Sequence, residues 1–277
     1  NGEINYQDFE NLDIKFGSGS DKLSIDSTHQ NKTTVSTNIG NDTVDVGSIA
    51  GETNIDLGRD DDLINVGNSN KVVDNIGETL KVTGGVGNDA IIIDDSGDTQ
   101  DNTGTVNASL ITGLGMNGEI DYQDFENLDV LLGSGNDILK VETTHQEVTN
   151  IAMGAGSDTA NVETISGETR VKLGDDDDTI NVRDRNQTTD NIAAALIVSG
   201  DSGEDKLNVD DSGDSKDNTA ILQDTSLTGL GMNGEINYQD FENLDIKFGS
   251  GRDRMRVVYG KKVEISSSPI KKKNTGG

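Results

Sequence analysis

Cysteine is absent from the 277-residue chain, so neither a disulfide nor a thiolate metal site is open to it. Tryptophan is absent too, aromatic residues make up 3%, and Pro269 is the single proline. With hydrophobic residues at 31%, a thick core is out of reach, but a thin one, a single side chain deep and bounded by turns, is not. Positive charge is scarce, at 22 Lys and Arg against 51 Asp and Glu, for a formal net charge of −29. That balance excludes nucleic acid as a partner, because its recognition needs a basic surface, and it works against anionic membrane surfaces. No apolar run approaches the ~18 residues of a spanning helix, so membrane insertion is not expected. Nothing resembles a signal peptide. The chain starts at Asn1, in mid-repeat and without Met, as expected of a segment of something longer.

What the chain has is one pattern repeated. IKFGSGSDKLSI (14–25) alternates apolar residues on either side of a glycine-rich turn, and it recurs, strictly or loosely, around Asp21, Asp42, Asp62, Asp89, Asp137, Asp158, Asp178, Asp205 and Asp253. Side chains alternate faces along a strand, so Ile14 and Phe16 make one short stripe, and Leu23 and Ile25 make another. The glycines between them allow conformations closed to other residues and leave carbonyl oxygens uncovered, and the Asp adds a carboxylate. Such turns, stacked, form an oxygen-only cage of the kind calcium accepts; one turn alone is too poor in ligands. The candidate ligands in the first copy are Gly17, Gly19 and Asp21; Gly40 and Asp42; Gly58, Asp60 and Asp62; and Gly85, Gly87 and Asp89. In the second they are Gly133, Gly135 and Asp137; Gly154, Gly156 and Asp158; Gly174, Asp176 and Asp178; and Asp205. Gly249, Gly251 and Asp253 open a third. Dense negative charge opposes compaction, so cation binding is expected to be coupled to folding.

A longer period encloses the short one. NGEINYQDFENLD (1–13) returns as NGEIDYQDFENLD (117–129) and NGEINYQDFENLD (233–245), each time 116 residues on and without insertion. The expected organisation is repeat 1 at 1–116, repeat 2 at 117–232, the start of repeat 3 at 233–257 and a divergent basic end at 258–277, all in one continuous solenoid. Within a repeat the anchor Asp residues stand 21, 20, 27 and 48 residues apart. About 20 residues fit a coil of two short strands and two turns. The 27-residue step reads as a coil with an excursion at 68–78, and the 48-residue step as two coils, one without the Gly-Asp turn. Coils with one inward stripe stack as parallel strands into an all-β solenoid, a parallel β-roll or β-helix. Val44 and Val46, Ile64 and Val66, and Ile91 and Ile93 continue the stripe. The Gly-Asp turns are expected in a row along one edge, with plainer turns such as SIAGE (48–52) and TISGE (164–168) on the other.

The turns GSGSD, GVGND, GSGND, GAGSD and GSGRD resemble the nonapeptide repeats of the RTX (repeats-in-toxin) calcium-binding β-rolls, and the 116-residue unit resembles the tandem repeats of large secreted or cell-surface microbial proteins. The resemblance implies Ca²⁺ held by turn carbonyls and by Asp residues of adjacent coils, and a chain that folds outside the cell. Asn38 in place of the first glycine, with GRDDD (58–62) and GDDDD (174–178) in place of the second, implies sites of uneven affinity.

Other motifs weigh less. GLGMNGEIDYQDFENL (113–128) imitates half of an EF-hand, but Gly113 and Gly115 stand where the first acids belong, so a strand pair with Tyr122 and Phe125 packed at the repeat junction is expected instead. DDSGDTQDN (94–102) and DDSGDSKDN (210–218) read either as a further cation site through Asp95, Asp98 and Asp101 or as solvated acidic loops. His29 and His145 are one repeat position seen twice and are expected at the surface. No catalytic constellation is discernible, and the chain is not expected to be an enzyme. Met255 to Ile265 offers one last coil ended by Pro269. Two functions remain: a calcium-stiffened extracellular spacer, adhesin shaft or filament subunit, or the calcium-binding accessory region of a secreted polysaccharide-active enzyme. The partner classes are calcium, neighbouring copies end to end, and an anionic polysaccharide or surface.

Overall fold

Alternating burial is the local signature of the fold. In the computed structural model, which describes residues 8–258 and 264–266, Val44 and Val46 are fully buried while Thr43 before them and Asp45 between them are not. Strands of the first copy are β1 (Asn11–Lys15), β2 (Lys22–Ile25), β3 (Lys32–Ser36), β4 (Thr43–Val46), β5 (Thr53–Arg59), β6 (Leu63–Val66), β7 (Thr79–Val86), β8 (Ala90–Asp94), β9 (Thr103–Val106) and β10 (Leu110–Gly113). The second adds β11 (Glu119–Gln123), β12 (Asn127–Leu131), β13 (Ile138–Val141), β14 (Val148–Ala152), β15 (Thr159–Val162), β16 (Thr169–Asp175), β17 (Thr179–Val182), β18 (Ala195–Ser202), β19 (Lys206–Asp210), β20 (Thr219–Leu222) and β21 (Ser226–Thr228). β22 (Glu235–Gln239), β23 (Asn243–Lys247), β24 (Arg254–Val257) and β25 (Glu264–Ser266) follow. No helix occurs among the described residues.

Successive strands of a coil fall in different sheets, and each strand pairs in parallel with its equivalent one coil on. Val44 thus faces Ile64, and Ile64 faces Ile91. The result is the expected all-β parallel solenoid, with one sheet of 13 strands and one of 12. Its core is the single layer between them, including Val35, Val46, Ile55, Leu57, Val66 and Ile93 from the first copy, all buried. Several inward threonines find an acceptor: Thr53 and Thr169 donate to the Gly51 and Gly167 carbonyls, and Thr37 donates to Leu57 at 2.6 Å. The excursion at 68–78 lies between β6 and β7, as read from the spacing.

The 48-residue step is not two coils. After β8 the chain enters the larger sheet at β9, doubles back as β10 and returns as β11, with antiparallel pairing on both sides of β10. The sheet order there is β7-β11-β10-β9-β13, so the chain overshoots and fills the gap behind itself. The return is enforced by Gly113, Leu114 and Gly115, at φ +81, +53 and +74. Leu114 accepts this left-handed conformation because its buried side chain fills the space over Gly104, where a Cβ would strike it. Tyr122 and Phe125 are buried at the junction as expected, and the Tyr122 hydroxyl donates to the Asn107 carbonyl at 2.6 Å. β20, β21 and β22 repeat the fold-back in the other sheet.

The fold-back also moves the Gly-Asp turns. In the first copy they lead from the larger sheet to the smaller, as from β3 to β4; in the second they lead from the smaller to the larger, as from β14 to β15. Both sheets are otherwise parallel, so these passages lie at opposite edges. The turns therefore do not form one row along one edge, but a row on each edge in turn. The last coil is present as β24 and β25, while Pro269 and the rest of the basic end lie outside the described residues.

Candidate metal centre

From Asp42 on, the Asp of each Gly-Asp turn accepts a backbone N–H from the coil before it. Asp21, Asp42 and Asp62 donate their backbone N–H to the Oδ1 of Asp42, Asp62 and Asp89 at 2.7, 2.8 and 2.8 Å. On the opposite edge, Asn102, Asp137, Asp158 and Asp178 donate to Asp137, Asp158, Asp178 and Asp205 at 2.7, 2.7, 2.7 and 2.9 Å. A third file opens with Asn218 donating to Asp253 at 2.9 Å. The structure thus brings Asp42, Asp62 and Asp89 together, and separately Asp137, Asp158, Asp178 and Asp205. Asp21 and Asp253, at the two ends, are only half-buried.

One carboxylate oxygen per rung is therefore used, and in six of the rungs the other is not. The Oδ2 atoms of Asp42, Asp62, Asp89, Asp158, Asp178 and Asp205 are buried and have no hydrogen-bond partner. An ionised carboxylate in that position is costly unless a cation or proton meets it. Desolvation raises Asp62 and Asp178 to about 6 and Asp158 to about 7, and it raises Asp89, Asp137 and Asp205 as well, with the like charges of nearby carboxylates adding to the effect.

The glycines let successive turns stack in contact. Gly58 and Gly174, at φ +106 and +119, sit so close to the preceding coil that a Cβ would run into the carbonyls of Asn38 and Gly154. The same holds for Gly40, Gly85, Gly87, Gly154 and Gly156 against the turns before them. Gly133, Gly135, Gly249 and Gly251 stack in the same way on the carbonyls of Asp98, Gln100, Asp214 and Lys216, whereas a Cβ on Gly17 or Gly19, in the first described coil, would meet nothing within 4 Å. Asp60 and Asp176 take the glycine conformation at φ +77 and +80, which Asp tolerates. Several of these carbonyls are already taken, Asn38 accepting the Arg59 N–H and Gly154 the Asp175 N–H, so the expectation of bare turn carbonyls does not hold throughout; the orphaned carboxylate oxygens are the hard donors that hard cations prefer, and the residues fit a metal on that ground.

A second grouping lies in the loop before β9. Carboxylate oxygens of Asp74, Asp95 and Asp98 lie within 4.8 Å of one another, as do those of Asp190, Asp211 and Asp214 in the second copy. Asp101, expected in this group, is not part of it and accepts the Asn136 N–H at 2.8 Å instead. Its place is taken by Asp74, from the 68–78 excursion. Desolvation raises Asp95 to about 7 and Asp211 to about 6. The copies differ in one respect: Lys216 places its Nζ 2.6 Å from Asp190, whereas Gln100 stands at that position in the first copy. The second group is thus already partly neutralised by a side chain.

Sequence reasoning missed Asp74, Asp190, Glu126 and Glu242. The two excursions share little beyond Asn70, Asp74, Asn75 and Ile76 with Asn186, Asp190, Asn191 and Ile192, and that shared core was the available signal. The histidines are half-buried rather than exposed: His145 meets Tyr122 edge-on at 6.1 Å between ring centroids, and burial holds it below the usual imidazole range. A groove of about 300 Å³ on the second copy is lined by Lys140, Asn161, Asn181, Arg183 and Arg185, but Arg185 is paired with Glu142 at 2.5 Å and Arg183 with Asp210 at 3.3 Å. Comparison with protein-family models gives no match for the chain, and comparison with curated proteins gives none.

Proposed function

We propose that the chain is a calcium-binding structural module of an extracellular or cell-surface protein, a shaft or spacer folded and stiffened by Ca²⁺ in its stacked turns. The observation that carries this reading is the two files of buried Asp residues whose second carboxylate oxygen has no partner. Calcium suits them better than magnesium, because it takes six to eight oxygens in flexible geometry while magnesium demands a near-ideal octahedron. The near-identical repeats favour a structural role, since a shaft needs many equivalent coils and an active site needs one special place. The RTX likeness of the turns agrees with calcium and with folding outside the cell. Calcium at ten times its dissociation constant adds about 1.4 kcal/mol per site, so six rungs contribute about 8 kcal/mol, the scale of a whole domain's stability.

The test is a calcium titration of chelator-treated protein followed by far-UV circular dichroism, with magnesium as the control. A cooperative rise of β signal at sub-millimolar to millimolar calcium, not reproduced by magnesium, is expected. Full β signal in chelator, unchanged by calcium, would sink the metal reading and leave the solenoid standing.

A further inference from the structure

Each file of aspartates ends on a glutamate, and there the oxygens crowd. Asp89 is fully buried, its Oδ1 accepts the Asp62 N–H, its Oδ2 has no partner, and its own N–H donates to Glu126 Oε2 at 2.6 Å. Glu126 stands in the turn between β11 and β12, the turn that follows the fold-back. Gly84 closes the space: a Cβ there would lie 3.1 Å from Asp89 Oδ2 and would run into the Asp124 carbonyl. Asp124 aims that carbonyl inward from a left-handed conformation at φ +57. The second copy repeats the arrangement on the other edge. Asp205 is fully buried with an unpartnered Oδ2 and donates to Glu242 Oε2 at 2.8 Å, and a Cβ on Gly200 would meet Asp205 Oδ2 and the Asp240 carbonyl. Among the described residues, no Lys or Arg is ion-paired with any of these four acids.

We propose that Asp89 with Glu126, and Asp205 with Glu242, each form a divalent-cation site distinct from and tighter than the rungs inside the file, which ties the fold-back to the coil it returns to. The inference rests on reading the files as cation sites. Inside a file each carboxylate is shared between the coils on either side. At the end, Glu126 or Glu242 adds a carboxylate that serves one site alone, beside a carbonyl, and affinity for calcium rises with ligand charge.

Calorimetric titration of the chelator-stripped full chain with calcium tests this. Two equivalents per chain are expected in a tight class, ahead of a weaker class from the rungs. Glu126→Gln and Glu242→Gln, whose amide oxygen still accepts the Asp N–H, should each remove one tight equivalent by weakening it at least tenfold, and the double variant should remove both while the weaker class persists. A single uniform class in the unmodified protein overturns the inference even if a variant fails to fold, and so does a tight class indifferent to both substitutions; either leaves the file sites standing. No calcium bound at all overturns both readings.

Discussion

Asp158→Asn is expected to stabilise the protein in chelator and destabilise it in calcium. At pH 8 without metal, the buried Asp158 carboxylate has one oxygen satisfied by the Asp137 N–H and the other by nothing, with Asp137 and Asp178 charged on either side. Asparagine keeps the acceptor, removes the charge and offers an N–H₂ to neighbouring oxygens, for a gain of about 1–2 kcal/mol. In calcium the same change removes a charged ligand, and about 1.4 kcal/mol or more of linkage is lost. The gain in chelator should also depend on pH. Burial raises the folded pKa of Asp158 to about 7 from 3.8, so the proton-bound form is favoured in the fold. Its contribution is complete below about pH 4 and is lost as pH rises through about 7. The metal-free protein should therefore be more stable at pH 5 than at pH 8, and the advantage of the asparagine variant should shrink at pH 5. Urea unfolding of both proteins in chelator and in calcium, at the two pH values, checks all of this. An effect of one sign in both metal conditions would refute the cation role of the rung.

Gly174→Ala is expected to cost about 3 kcal/mol or more in saturating calcium, while Gly17→Ala at the corresponding turn position costs a few tenths. Both glycines open the same motif, so sequence alone ranks them equally. Gly174 holds φ +119 with the Gly154 carbonyl where its Cβ would go, and relief would have to come from backbone, which cannot yield without unstacking two turns. Gly17 has ordinary φ and nothing within 4 Å. Thermal unfolding of the two variants against the parent separates them. Equal and small losses would mean that the turns stack more loosely than the close approach of Gly174 to Gly154 requires.

The strand stripe and the turn were legible because both are written within a dozen residues. Val44 with Val46 and Ile64 with Val66 announce a strand by alternation, and the repeat interval says that they stack. The fold-back was not legible, because LITG and EIDYQ alternate in the same way whether their neighbours run parallel or antiparallel. The return turn is made by three residues in a row at positive φ, Gly113, Leu114 and Gly115, and the middle one is a buried leucine in a conformation that leucine is not expected to adopt. The change of edge follows from counting crossings. An ordinary coil crosses between sheets twice, but the path from β8 to β13 crosses three times, and an odd number exchanges the sheets' roles. The ladder residues were readable from the motif. Asp74 reaches the Asp95 and Asp98 loop from an excursion, and Glu126 reaches the file from the turn after the fold-back, only in three dimensions.

The most direct measurement is anomalous diffraction from crystals grown in calcium, with data collected at long wavelength. Two rows of calcium peaks are expected, one beside the Oδ2 atoms of Asp42, Asp62 and Asp89, and one on the opposite edge beside those of Asp158, Asp178 and Asp205. Files with no peaks, their Oδ2 atoms hydrogen-bonded to one another or to water, would contradict the metal-filled solenoid.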